Sequence, residues 1–138
     1  MSLPTPISTA LTLSLVLPGD EPLPVDATLE YDASDPFAVH LDIAAGDGMV
    51  RWSLARELLT EGVETPAGVG DVRIIPIGGS HGRRVRIILT SPDGAATLEA
   101  PLTEMVEFLA ATYAAVPSGT ESDLMDVDTL VAQLLAAS

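Results

Sequence analysis

The sequence predicts an α+β domain in which an antiparallel sheet comes first and helices follow. Two patterns support this fold class. Apolar and polar residues alternate along the first half, and apolar residues recur at helical spacing in the C-terminal third. The length of 138 residues suits one domain that can bury a core. We therefore expect one domain over residues 1–138, ordered as four strands, a helix, three or four strands and C-terminal helices.

The first four strands are predicted from alternation at the period of a strand with one buried face. Turn signals at Pro18-Gly19-Asp20-Glu21 and Gly46-Asp47-Gly48 separate these strands. The predicted strands are residues 11–17, 25–31, 37–43 and, shorter, 49–52.

A helix is predicted next, capped by the hydroxyl of Ser53 and ended by Gly62. Two strands form a hairpin around the glycine-rich loop 78–82, and a turn at residues 91–94 leads to the last strand. These strands are residues 71–77, 83–90 and 95–100. Two helices end the chain, over residues 102–116 and from about Asp126 onward.

Charge and composition exclude several functions. The chain has 20 acidic residues, 6 arginines and no lysine, giving a net charge of −14. All six arginines lie in residues 51–92, and the flanking segments contain no basic residue. This charge opposes binding to phosphate backbones and to anionic lipids. The absence of cysteine excludes disulfides and fits a cytosolic protein. No segment has the roughly 18 consecutive apolar residues of a membrane span, so we do not expect an integral membrane protein.

No motif predicts catalysis, a metal or a cofactor. Residues 78–82 match G-x-S-x-G, but a nucleophile elbow joins a strand to a helix, and a strand pattern follows here. His40 and His81 show no ligand spacing, and the acids after Ser122 lack the glycine and final glutamate of a calcium loop. We therefore predict a protein that is not an enzyme.

The arginine cluster is the most informative polar feature. If Ile77 faces Arg83, the hairpin has apolar residues on both faces, with Ile75 opposite Val85. One face then packs on the helices and the other on a second subunit. Arginine suits such an interface because its planar fork pairs with carboxylates. The residues predicted to form the subunit interface are Arg73, Ile74, Arg84, Arg86 and Ile88. The alternative is a solvated surface whose ion pairs are internal.

Two further places are weaker candidates for binding a partner. Arg56 and Glu57 stand on the first predicted helix, although a helical pair of this kind is commonly solvated. Leu124 and Met125 lie in an acidic stretch, where the alternative is a hydrophobic staple. Trp52 is the only tryptophan and is expected to anchor the sheet to the helix.

Several segments, in order, resemble one protein family. Residues 52–62, Trp-Ser-Leu-Ala-Arg-Glu-Leu-Leu-Thr-Glu-Gly, resemble the W-x-F-A-R-E-L-L-x-E-G segment of the SsgA-like proteins of sporulating actinobacteria. Leu54 stands where the family often has phenylalanine. The other matching segments are residues 31–39, 66–72, 91–94 and 116–121. The resemblance covers the chain from about residue 10 to its end and is greatest to the SsgB branch.

The resemblance implies a non-enzymatic regulator of cell division in the cytoplasm at the division septum. Such proteins recruit the tubulin-like GTPase FtsZ to sporulation septa together with an SsgA-like paralogue. The family also implies a Whirly-like fold, similar to that of single-stranded nucleic-acid-binding proteins, and a homotrimer. That fold gives an alternative function, single-stranded nucleic-acid binding, which the net charge opposes.

Overall fold

The computed structural model describes residues 6–78 and 82–121. In these ranges the chain forms seven strands and two helices. The elements in order are β1 Ile7–Leu15, β2 Leu23–Tyr31, β3 Ala38–Ala45, β4 Gly48–Ala55, α1 Arg56–Gly62, β5 Val72–Ile77, β6 Arg84–Ser91, β7 Gly94–Pro101 and α2 Leu102–Ala115. The predicted α+β class with an antiparallel sheet is confirmed. The Whirly-like description stays a prediction.

All seven strands belong to one antiparallel sheet in the order β4-β3-β2-β1-β7-β6-β5. Short hairpins connect β1 to β2, β3 to β4 and β6 to β7. The two halves of the sheet join where β1 pairs with β7, through Ser14 with Glu99 and Leu15 with Leu98. This register brings all three hairpin turns to the same end of the sheet.

The alternation along each strand gives the sheet an apolar inner face and a polar outer face. Leu13, Leu29, Leu41 and Ile87 are fully buried on the inner face. Helix α2 lies against β1, β6 and β7, and α1 lies against β4 and β5. Both helices pack toward one end of the inner face, and no element of the described residues covers the opposite end.

The first helix begins later than the sequence predicts. Strand β4 continues through Ser53 to Ala55, so Ser53 is a strand residue and does not cap the helix. Its hydroxyl instead lies 3.0 Å from Nδ1 of His40 on the neighbouring strand. The N-cap is Ala55, and no side chain bonds to the first-turn amides there. The prediction of a Ser53 cap was therefore wrong, because pairing with β3 extends the strand across it.

The predicted register of the arginine-containing hairpin was wrong by one residue. Ile77 pairs with Arg84 rather than Arg83, and Ile75 pairs with Arg86. A shift of one residue moves side chains to the opposite face of a strand. Ile74 therefore lies in the core with no exposed surface and cannot contribute to the predicted subunit interface. The other four residues predicted for it, Arg73, Arg84, Arg86 and Ile88, do share the outer face.

Some predicted features lie outside the described residues. These are most of the Gly78–Gly82 loop, with His81, and the second C-terminal helix, with Leu124 and Met125. In the part of the chain that the structure describes, no helix is long and apolar enough to cross a membrane.

Candidate functional site

The end of the inner face covered by helices is closed around Arg56. Arg56 is the first residue of α1 and is 1% exposed. Its guanidinium lies over the rings of Tyr31 and Tyr113, 5.0 and 4.0 Å from their centroids. It donates to the carbonyls of Thr112 (3.1 Å) and Val116 (2.8 Å), at the end of α2. We call Arg56, Tyr31, Tyr113 and Glu121 the Arg56 clamp.

Glu121 completes the clamp through an ion pair. Its Oε1 accepts a hydrogen bond of 2.7 Å from the Arg56 guanidinium, and its Oε2 accepts one of 2.8 Å from the amide of Gly119. All the hydrogen bonds described for Arg56 have acceptors within this chain. The prediction that Arg56 binds a partner was therefore wrong, because the side chain is buried and paired. Its neighbour Glu57 is exposed, and its partner-binding role stays a prediction.

Burial and hydrogen bonding shift two pKa values in the clamp. Burial raises the pKa of the Tyr31 phenol, and the positive charge of Arg56 opposes part of that rise. The phenol donates to the carbonyl of Pro36 at 2.9 Å. The pKa of the Glu121 carboxyl is lowered by a hydrogen bond from its own amide and then by the bond from Arg56. Glu121 therefore stays ionised into the acidic range, as an ion pair requires.

The outer face of β6 and β7 carries a second set of ion pairs. Arg84 and Arg86 both reach Glu99, at 3.3 and 2.7 Å, and Arg84 also donates to the Ser14 hydroxyl at 3.0 Å. Arg73 lies exposed on the adjacent strand. These contacts bring the predicted arginines together beside Ile88, as expected. They also show that much of the arginine charge is balanced within the chain.

Arg51 forms ion pairs with Asp42 and Glu30 on the outer face, at the other side of the sheet. Its guanidinium binds Asp42 through two hydrogen bonds, of 2.7 and 2.9 Å, and lies 3.5 Å from Glu30. The bond from Arg51 lowers the pKa of the Asp42 carboxyl. Because Arg51 is 50% exposed, this pair contributes little to stability.

His40 has partners that the sequence did not indicate. Its Nδ1 lies 3.0 Å from the Ser53 hydroxyl, and its Nε2 lies 3.4 Å from a carboxylate oxygen of Asp35. Ser53 lies in mid-strand on an open sheet face, whereas acyl transfer needs donors converging on a pocket. We interpret the three residues as a polar contact across β3 and β4. Among residues 6–78 and 82–121, no three acids or histidines are placed to hold a metal ion.

The uncovered end of the inner face forms an apolar cleft of about 510 Å³. It lies between the β3–β4 hairpin and the β6–β7 hairpin, where the sheet curves over itself. We call it the open cleft, lined mainly by Leu15, Val25, Ile43, Val50, Trp52 and Leu98. Trp52 packs beside the core as predicted, but it lines this cleft, to which α1 and α2 contribute no residue, rather than anchoring the sheet to a helix. The sequence did not predict the cleft, since a strand pattern does not show where a sheet curves.

Acidic residues lie at the end of the sheet that holds the open cleft. Asp93 is part of its lining, and the turns that connect the lining strands carry Asp20, Glu21 and Asp47. All four residues are exposed, and the three turns contain no basic residue. We call these four residues the acidic rim. The open cleft is therefore apolar inside and negatively charged at its border.

The two edge strands of the sheet differ. The β5 edge is closed at Ile74, whose amide and carbonyl pair with those of Ala67, and Pro76 has no amide hydrogen to donate. Strand β4 has no proline and, in the described ranges, pairs along one side only, with β3. Met49 and Val50 at its start are 57% and 47% exposed. The β4 edge borders the open cleft and is the more accessible of the two.

Comparisons with known proteins agree on one family. The family described as "Streptomyces sporulation and cell division protein, SsgA" matches residues 25–121. The chain is 46% identical over 130 residues to the sporulation-specific cell division protein SsgB of Frankia casuarinae, covering 94% of this chain and 91% of that protein. It is 46% identical over 136 residues to SsgB of Streptomyces coelicolor, covering 97% and 98% of the two chains.

A solved structure agrees as well. The SsgA-like sporulation-specific cell division protein of Thermobifida fusca superposes with a TM-score of 0.86 at 41% identity, over 96% of this chain and 98% of that one. Sequence and fold thus match the same group over nearly the full length. The chain belongs to the SsgA family of sporulation and cell-division proteins, in its SsgB branch.

Proposed function

We propose that this protein is a non-enzymatic adaptor that recruits the division GTPase FtsZ to sporulation septa, in the cytoplasm at the division site. The observation that carries the proposal is the near full-length match to relatives named sporulation-specific cell division protein SsgB. The relatives' names support a role in sporulation division, and recruitment of FtsZ is the proposed mechanism.

Two surfaces of the chain support binding as the mechanism. The open cleft exposes apolar side chains beside an accessible strand edge, a combination that marks interaction sites. The outer face of β5 and β6 places Arg73, Arg84 and Arg86 near Ile88. We assign the second surface to self-assembly into a homotrimer and leave the first for a partner, either FtsZ or an SsgA-like paralogue.

Single-stranded nucleic-acid binding is the weaker function. It needs a positive groove with aromatic side chains on which bases stack. Here Arg84 and Arg86 are engaged by Glu99, and the chain carries −14 overall. Repulsion from the phosphate backbone therefore favours a protein partner.

Co-sedimentation with FtsZ tests the proposed function. Purified protein is mixed with FtsZ, with and without GTP, at physiological salt, and the pellets are compared. We expect the protein to appear in the pellet when FtsZ has polymerised and to remain in the supernatant otherwise. Recovery that does not depend on polymer would contradict direct recruitment.

Charge reversal tests the assembly surface. Replacing both Arg84 and Arg86 with glutamate places like charges beside Glu99 and on the proposed interface, so the native mass measured by sedimentation should fall. Arg51→Glu is the matched control, because it reverses an ion-paired arginine on the same face but at the far side of the sheet. An unchanged mass for the double variant would exclude this surface.

A further inference from the structure

We propose that the open cleft and the β4 edge together bind an extended apolar segment of a partner protein that carries lysine or arginine. The segment would add to the sheet as a further strand beside β4. This inference rests on the proposed function only in taking a protein as the ligand. Three properties of the described residues carry it: apolar lining, an available strand edge and the charge of the rim.

The lining shows that the ligand is apolar. Val25, Val50 and Trp52 converge on a space of about 510 Å³, within the roughly 300–1,000 Å³ typical of ligand pockets. Val50 is 47% exposed. Neither α1 nor α2 contributes a residue to this lining. Covering these side chains would remove apolar surface from water, which is the main driving force of most associations.

The strand edge shows that the ligand is extended. In the described ranges β4 pairs only with β3, so the backbone groups on its other side can pair with a further strand. Arg51, the one charged residue of β4, does not block this edge. Its guanidinium is held on the outer face by Asp42 and Glu30. An added strand would present every second side chain to the inner face, toward Val50 and Trp52.

The acidic rim shows that the ligand is basic. Asp93 lines the cleft, and Asp20, Glu21 and Asp47 lie in the other two turns at the same end of the sheet. The three turns contain no basic residue. The chain's own residues 122–138 contain three acids and no base, so their charge does not match the rim. A second copy is also a poorer match, because four of its six arginines, Arg51, Arg56, Arg84 and Arg86, already form ion pairs within the chain and the copy carries 20 acids. Charge complementarity therefore points to a cationic segment from another protein.

Trp52 provides the measurement, because it is the only tryptophan of the chain and lines the cleft. The probe is a synthetic peptide of about ten residues in which leucine and lysine alternate, long enough to follow β4. Titration of the full chain should shift and saturate the Trp52 emission. Replacing the lysines with glutamate, or the leucines with serine, should weaken binding about tenfold or more, since each peptide loses one of the two interactions.

Two valines of nearly equal exposure provide the matched variants. Val50 in the cleft is 47% exposed, and Val106 on α2 is 45% exposed. Val50→Arg adds a positive charge where the cationic segment would lie, so peptide affinity should fall about tenfold or more. Val106→Arg makes the same change away from the cleft and should bind as the wild type does. Equal affinity of the two variants would overturn the proposal.

A second variant tests the rim without touching the lining. Neutralising Asp47 and Asp93 together with asparagine should weaken the peptide about threefold or more and reduce the salt dependence of binding. In the control, Glu104 and Glu107 on α2 are replaced with glutamine, which should change neither the peptide affinity nor its salt dependence. Equal binding of the glutamate-containing and lysine-containing peptides would exclude a basic ligand.

A second copy of this chain is the remaining occupant to test. If Val50→Arg lowered the native mass of the protein while Val106→Arg did not, the cleft would be a subunit contact and the proposal would be wrong. The FtsZ assay is independent of these peptides. If FtsZ failed to sediment this protein while the peptide still bound, FtsZ would be excluded as the partner and the binding site would stand.

Discussion

Apolar strand residues line both ends of the inner face, but the two ends differ in the elements next to them. At the closed end, α1 and α2 cover the sheet, and the buried Arg56 ties the end of α2 to Tyr31 and Glu121. At the open end, neither of the two described helices covers Val50 and Trp52, and the turns at that end are acidic. The closed end is therefore internally satisfied, whereas the open end retains exposed apolar surface, which we propose binds a partner.

We expect the largest loss of stability from removing the positive charge of Arg56 at the closed end. Arg56→Met leaves the carbonyls of Thr112 and Val116 and the Glu121 carboxylate without their buried donor. Breaking a buried pair in this way costs about 3–5 kcal/mol in the free energy of unfolding. Urea denaturation measures it. The control is Arg51→Met, which breaks an exposed pair and should cost less than about 1 kcal/mol. Equal losses of unfolding free energy in the two variants would contradict the claim that the Arg56 ion pair contributes more because it is buried.

A smaller effect is expected where α1 meets β5. Gly62 is the last residue of α1, and a Cβ placed there would overlap the side chain of Ile74. Overpacking of a core costs about 1–3 kcal/mol, against a helix-propensity gain of up to about 1 kcal/mol. We expect Gly62→Ala to lower stability by urea denaturation. Gly48→Ala is the control, since nothing lies within 4 Å of the added Cβ. A stabilised Gly62→Ala protein would contradict this packing.

The clamp also predicts a pH dependence. Because the pKa of Glu121 is lower in the folded protein, its ionised form contributes stability near neutral pH, and that contribution disappears as pH falls through the folded pKa. Glu121→Gln should therefore be less stable than the wild type at neutral pH and approach it in acid. Thermal unfolding between about pH 7 and pH 3 measures the difference. Glu107→Gln, on the exposed side of α2, should follow the wild type throughout. A constant difference between Glu121→Gln and the wild type would contradict the account.

The smallest effect on stability is expected at the open end. Val50→Arg and Val106→Arg both replace a half-exposed valine and should change the free energy of unfolding by less than about 0.5 kcal/mol. Urea denaturation of both variants measures this change. A large loss for Val50→Arg alone would mean that Val50 supports the fold, and the contrast between the two ends would weaken.

The sequence predicted most strands and both described helices because alternation and turn signals are local. It failed for the hairpin register, since the loop around Gly79 permits two pairings that differ by one residue. The apolar series Ile74, Val85, Ile87 and Leu89 selects between them. Ser53 was misplaced because a local helix signal was outweighed by pairing with β3.

The candidate sites were harder to predict, because their parts are far apart in the chain. Arg56 bonds to Glu121 across 65 positions and stacks on Tyr31, so no local pattern separates it from an exposed arginine. The open cleft depends on the curvature of the whole sheet. Only its composition could be anticipated: acidic turns beside apolar strands.

The most direct test combines the proposed function with the proposed site. Wild-type protein, Val50→Arg and Val106→Arg are each sedimented with FtsZ polymerised by GTP, and the bound fraction is measured against protein concentration. We predict that the wild type and Val106→Arg enter the pellet equally and that Val50→Arg stays in the supernatant. Equal sedimentation of all three would show that FtsZ does not bind at the open cleft.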